Sequence, residues 1–199
     1  MSTFDSAEPS FPRGTAGSGR LSWSGYTSSQ AMLEPIRQQF GAAMQSLHDA
    51  MQACPHAVWS AEGQPSDAAV LRQEPWYLAF HTIFWLDLYL SENAGSYVPP
   101  APFTRDELEP DLLPARAYSK NELFDWLQQC ATAFEQRLAS CATDEGMQRA
   151  CHLQWGEMTA GELLLYNLRH VQHHTAQLNL LIRQAGAEPS RWVMRADGL

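Results

Sequence analysis

The chain has 199 residues, 45% of them apolar, and a formal net charge of −9 from 13 Lys and Arg against 22 Asp and Glu. That length and composition suit one domain able to bury a core. The acidic balance, with no clustered cations, argues against nucleic acid and against anionic lipid surfaces as partners.

No apolar run reaches the ~18–20 residues of a membrane helix, and no basic-then-apolar leader pattern opens the chain. A cytoplasmic location is therefore expected. Cys54, Cys130, Cys141 and Cys151 show no CxxC spacing and read as reduced thiols.

Residues 1–27, rich in Ser and Gly, read as a flexible leader, and 28–199 as the folded domain with a short C-terminal tail. The first helix is expected from about Ser28 to Cys54. Met32, Ile36, Phe40, Ala43, Met44, Leu47 and Met51 recur there three or four apart. Pro35 falls in its first turns, where proline is best tolerated. Pro55 and residues 60–66 interrupt the pattern. A second helix is expected over roughly Ala68 to Glu92, with Pro75 as a start or kink. Its stretch from Trp76 to Leu90 is apolar on nearly every side, as in a helix central to a bundle or covered by another subunit.

A long connection follows, from about Asn93 to Tyr118, stiffened by Pro99, Pro100, Pro102, Pro110 and Pro114. Connections of that length often shape a site. Ser119 and Glu122 then form a predicted capping box. It opens a third helix with Leu123, Trp126, Leu127, Cys130, Phe134 and Leu138 on one face, ending near Ser140. A polar linker containing Gly146 leads to a second capping box, Thr159 with Glu162. The fourth helix runs from there to about Ala185, and Gly186 suits the left-handed position after its end. The tail, with Trp192, Val193 and Met194, is expected to pack back on the bundle. Four long helices and no convincing strand predict an all-α four-helix bundle.

Three of the seven histidines, His170, His173 and His174, sit within five residues of the fourth helix. His170 and His174 lie about 40° apart on one helical face, so their imidazoles can converge on one ion. His173 lies about 60° to the other side of His170 and drops out by the same geometry. Asn167 and Gln177 share the face of the pair and are candidates to orient its rings. His81 stands in the middle of the most apolar helix, where an unsatisfied imidazole costs roughly 1–3 kcal/mol. Spacing alone leaves two readings open, a hydrogen-bonded core histidine or the third ligand of a metal centre. The HxxHH run likewise could be a solvated polar face.

The run His170-Val-Gln-His173-His174-Thr-Ala-Gln177, its capped lead-in from Thr159, and His81 within Phe80-His-Thr-Ile-Phe-Trp85 resemble the DinB-like (YfiT-related) superfamily of metal-binding four-helix bundles. The similarity covers roughly residues 28–195. It implies that His81, His170 and His174 bind one divalent metal ion, zinc or nickel, with a position open for water or substrate. It further implies a small-molecule substrate, thiol-dependent S-transferase or hydrolase chemistry with a low-molecular-weight thiol as possible cosubstrate, and a homodimer. A non-catalytic, stress-associated metal-binding module is the alternative. Members often carry Arg-Gly after the paired histidines; this chain has Thr175-Ala176, so no role for that arginine carries over.

Other candidates are weaker. Cys141, Cys151 and His152 lack zinc-knuckle spacing. Asp87 lies about 120° around the helix from His81 and reads as a surface or interface group. Glu162 is taken by its cap, and no Glu adjoins the histidines in sequence. Trp76, Trp85 and Trp126 read as core aromatics.

Overall fold

The computed structural model of the chain describes residues 29–60, 71–109 and 112–196. The expected leader, the polar break at 61–66, the expected helical residues 68–70 and Pro110 lie outside the described residues.

The frame is built from four long helices: α1 (Ser29–Ala53), α2 (Pro75–Leu90), α3 (Lys120–Ser140) and α4 (Ala160–Gln184). α1 and α2 each pack against both α3 and α4, so the ring order is α1–α3–α2–α4. The fold is all-α with one small hairpin added. Among the described residues no helix is long and apolar enough to cross a membrane.

Both predicted capping boxes form. The Ser119 hydroxyl accepts from the Glu122 N–H at 3.3 Å, and Glu122 accepts from the Ser119 N–H at 2.8 Å. Thr159 and Glu162 repeat the arrangement at 3.2 and 2.8 Å. Such caps satisfy orphan backbone donors and fix where a helix begins. The second box thereby sets the register of the histidine-bearing helix. Gly186, at φ +78°, ends α4 in the left-handed conformation, which glycine adopts without steric cost.

Every residue of α2 except Asp87 is buried, and the cover comes from within one chain. α3 and α4 supply two sides, and the proline-rich connection supplies Tyr97, Phe103 and Tyr118. Phe103 stacks on Trp126 of α3 with ring centroids 4.0 Å apart, and Phe80 of α2 meets Tyr118 at 5.1 Å. A fully buried phenylalanine is worth roughly 1.5–3 kcal/mol, so Phe103 pins the connection to the core. Asp87, expected as a surface or interface group, is half-buried at the junction with the connection and α3. The connection covers that face, and Asp87 accepts hydrogen bonds from the Tyr97 hydroxyl (2.8 Å) and the Trp126 indole (2.9 Å).

The linker before α4 differs from expectation. It forms a helical turn, Asp144–Gln148, and an antiparallel hairpin of β1 (Ala150–Leu153) with β2 (Gly156–Thr159). Ala150 pairs with Thr159 and Leu153 with Gly156, leaving Gln154 and Trp155 at the tip. Each strand is four residues long; β1 half-buries only Cys151 and Leu153, and the half-buried positions of β2, Met158 and Thr159, are adjacent, so no alternation stands out in the sequence. Buried Arg137 of α3 donates to the Cys151 sulfur at 2.9 Å, holding the hairpin to the bundle. The tail does return: the Ser190 N–H donates to Asn179 at 3.0 Å, and Gln39 donates to the Met194 carbonyl at 3.2 Å. The Trp192 and Met194 side chains nevertheless stay exposed.

Candidate metal centre

His81 projects from the middle of α2, and His170 and His174 from one face of α4, the helix packed beside it. The three rings meet. Their centroids are 4.5 Å apart for His170 and His174, 4.6 Å for His81 and His174, and 5.5 Å for His81 and His170. One nitrogen from each ring lies within 4.8 Å of those of the other two. His81 and His170 are buried and His174 half-buried, whereas His173 is exposed and outside the group.

The second nitrogens of two rings are already engaged. The Nδ1 of His81 lies 2.5 Å from Oε1 of Glu107, and the Nδ1 of His174 lies 2.6 Å from the amide oxygen of Gln177. Both partners are oxygen acceptors, so each Nδ1 is the donor and each Nε2 is the nitrogen left to face the cluster. Gln177 lies one helical turn from His174 on the same face of α4 and accepts from its ring. Asn167 serves differently: it is buried and donates to the Leu86 carbonyl at 3.0 Å, tying α4 to α2.

Glu107 belongs to a 3₁₀ turn of the connection, Arg105–Leu108, and its side chain is only 4% exposed. Besides His81 it accepts from the Tyr77 hydroxyl at 2.7 Å and the Trp85 indole at 3.4 Å. Burial alone would raise its carboxyl; the neighbouring His81 and the three hydrogen bonds outweigh that and hold it below the usual carboxylate range. Tyr77 is pushed well up, by burial first and then by the adjacent carboxylate. His174 is pushed far below the ordinary histidine value, by burial first and then by His81 and His170. A histidine held neutral has its lone pair available for a metal.

The donor set therefore fits a divalent ion. A tetrahedral ion with bonds of ~2.0–2.1 Å holds its ligand nitrogens ~3.4 Å apart, within reach of small rotamer adjustments from this cluster. Three imidazoles with a carboxylate behind one of them is also a common way of fixing a metal-binding ring.

Sequence reasoning missed Glu107, since 26 residues separate it from His81. The signal was the long, proline-stiffened connection, which carries Glu107 to the bundle. Trp85 is a buried aromatic as expected, and it also donates to Glu107. Cys141, Cys151 and His152 gather no site: Cys141 is fully buried, and His152 is exposed beside Glu157 at 2.9 Å. Among the described residues His81, His170 and His174 form the one metal-capable group.

A family model described as the DinB superfamily matches residues 72–178, a span that holds the three histidines, Glu107 and Gln177. The uncharacterized protein YrdA of Bacillus subtilis (strain 168) is 28% identical over 109 residues, which is 55% of this chain and 59% of that relative. The match thus spans less than two thirds of the relative's length.

Proposed function

The chain belongs to the DinB superfamily, and from that premise we propose that it binds one divalent metal ion through His81, His170 and His174 and uses it in transferase or hydrolase chemistry on a small molecule. The convergence of the three imidazoles, their donor nitrogens within 4.8 Å of one another, carries this reading. Zinc and nickel both accept imidazole ligands. An ion bound there by three neutral ligands would supply Lewis acidity, lowering the pKa of bound water or stabilising a thiolate.

The chain's own residues do the rest. His81, His170 and His174 hold the ion, with the Nε2 atoms of His81 and His174 turned to it. Gln177 and Glu107 keep the Nδ1 protons of His174 and His81 in place. Buried Trp85 and Tyr89 of α2, whose rings lie 6.4 Å from His81 and 5.9 Å from His170, limit access of bulk water to the cluster. A low-molecular-weight thiol is the cosubstrate we propose to test first.

A second reading is a metal-binding module without catalysis. One observation favours it: among the described residues Glu107 is the carboxylate that touches the histidine group, and three donors already engage it.

The test has two stages. Elemental analysis of purified protein is expected to find about one ion per chain. A panel of thiols with a generic electrophile, and common esters and amides, is then assayed with and without chelator. Metal content with no chelator-sensitive turnover on any of these would favour the module over the enzyme.

A further inference from the structure

The metal reading places its ligands on α2 and α4, yet the group that orients His81 comes from neither helix. Glu107 sits on the connection, its side chain 4% exposed, 2.5 Å from the His81 Nδ1. Its other oxygen accepts from Tyr77 at 2.7 Å, and Trp85 approaches from the same helix face at 3.4 Å. Tyr77, His81 and Trp85 are spaced four apart along α2, so one ridge of that helix presents three donors to a single carboxylate. A buried carboxylate with three donors is strongly positioned, because leaving any of them unsatisfied costs the desolvation of that group. The segment bearing it is anchored before Glu107 by Tyr97 on Asp87 and Phe103 stacked on Trp126, and after it by buried Tyr118, whose ring meets Phe80 at 5.1 Å.

Resting on the metal-binding reading, we propose that Glu107 is a positioning residue for the centre, and that residues 93–109 of the connection are thereby coupled to metal occupancy. Glu107 fixes the His81 proton on Nδ1 and aims Nε2 at the ion. It also balances one charge of a dication otherwise held by neutral ligands. An occupied centre in turn locks His81, and through Glu107 it locks the turn Arg105–Leu108. Metal affinity and the order of the connection are two faces of one interaction, and reciprocity requires each to respond to the other.

The test uses the full chain, stripped with chelator and titrated with zinc ion. Wild type is compared with Glu107→Gln, which keeps shape and an acceptor oxygen, and with Glu107→Ala. Outer acceptors of this kind are typically worth ~10–100-fold in metal affinity. The alanine variant is expected near the upper end of that range and the glutamine variant between it and wild type. Amide hydrogen exchange of wild type is expected to slow across the peptides covering 97–109 on zinc addition, and the slowing to disappear in Glu107→Ala. A purely structural role would change stability of the zinc-free protein without this zinc-dependent protection.

Zinc affinity within twofold of wild type in both variants, or zinc binding with no protection of 97–109, would overturn the proposal. Should Glu107→Ala fail to fold, the glutamine variant and the wild-type exchange data decide alone. If wild type itself binds no zinc or nickel, the metal reading fails, an outcome distinct from failure of the positioning role.

Discussion

Asn167 donates its side-chain amide to the backbone carbonyl of Leu86 across 3.0 Å, and both residues are buried. That single bond ties together the two helices whose histidines must meet. Replacing Asn167 with Ala removes it and leaves a small void. We expect a loss of about 1–2 kcal/mol, from the net worth of a buried hydrogen bond and the lost packing. Urea denaturation of metal-free protein measures it; an unchanged midpoint would show that the bond contributes nothing.

The histidines separate by role. His81→Ala, His170→Ala and His174→Ala should each lose bound metal, while His173→Ala, whose side chain is exposed outside the group, should retain it. Elemental analysis after gel filtration reads this directly. Stoichiometric metal in His81→Ala would eliminate the three-ligand arrangement.

Acid should weaken the metal-free fold in a defined window. His174 is held below its ordinary value of 6.5, mainly by burial. Below that pH the unfolded chain takes up a proton that the folded chain refuses. Stability is therefore full above pH ~6.5 and falls beneath it, by at most ~1.4 kcal/mol per pH unit. Glu107, lowered from 4.5, adds a second loss only as the pH falls through that lower range. Urea midpoints at pH 7.5, 6.5 and 5.5 in chelator should decline for wild type and flatten in His174→Gln. Equal slopes in the two proteins would refute the assignment to His174.

Gly146 lies where the turn Asp144–Gln148 passes the end of α3. A Cβ there would collide with the Ser140 carbonyl oxygen, which is backbone and cannot swing aside. Gly146→Ala is expected to cost roughly 1–3 kcal/mol, the range for overpacking. At Gly161 the obstacle is the Met147 sulfur at 2.7 Å, the end of a flexible side chain, so Gly161→Ala should cost less. Thermal melts of the two variants side by side test the order; the reverse order would contradict it.

The legible parts of this protein are those written in local spacing. The caps at Ser119 and Thr159, the stripe of α3, and the His170 and His174 pair all follow from residues three or four apart. The illegible parts depend on what the chain brings back from a distance. Nothing in α2 itself reveals that Asp87 will accept hydrogen bonds from Tyr97 and Trp126. Glu107 is one acid among several in an irregular segment, and only the folded path carries it to His81. The hairpin escapes because two four-residue strands carry too little alternation to compete with the surrounding polarity.

Trp85 gives the cluster an optical consequence. Its indole is hydrogen-bonded to the carboxylate that holds His81, its ring centroid lies 6.4 Å from that imidazole, and Trp155 of the hairpin tip meets it at 5.4 Å. A fluorophore at that distance is quenched by a paramagnetic ion such as cobalt(II) or nickel(II), whereas zinc leaves it bright. Metal bound at the proposed centre would therefore be read in Trp85 emission, dimmed by cobalt or nickel and not by zinc, with no label and no substrate required.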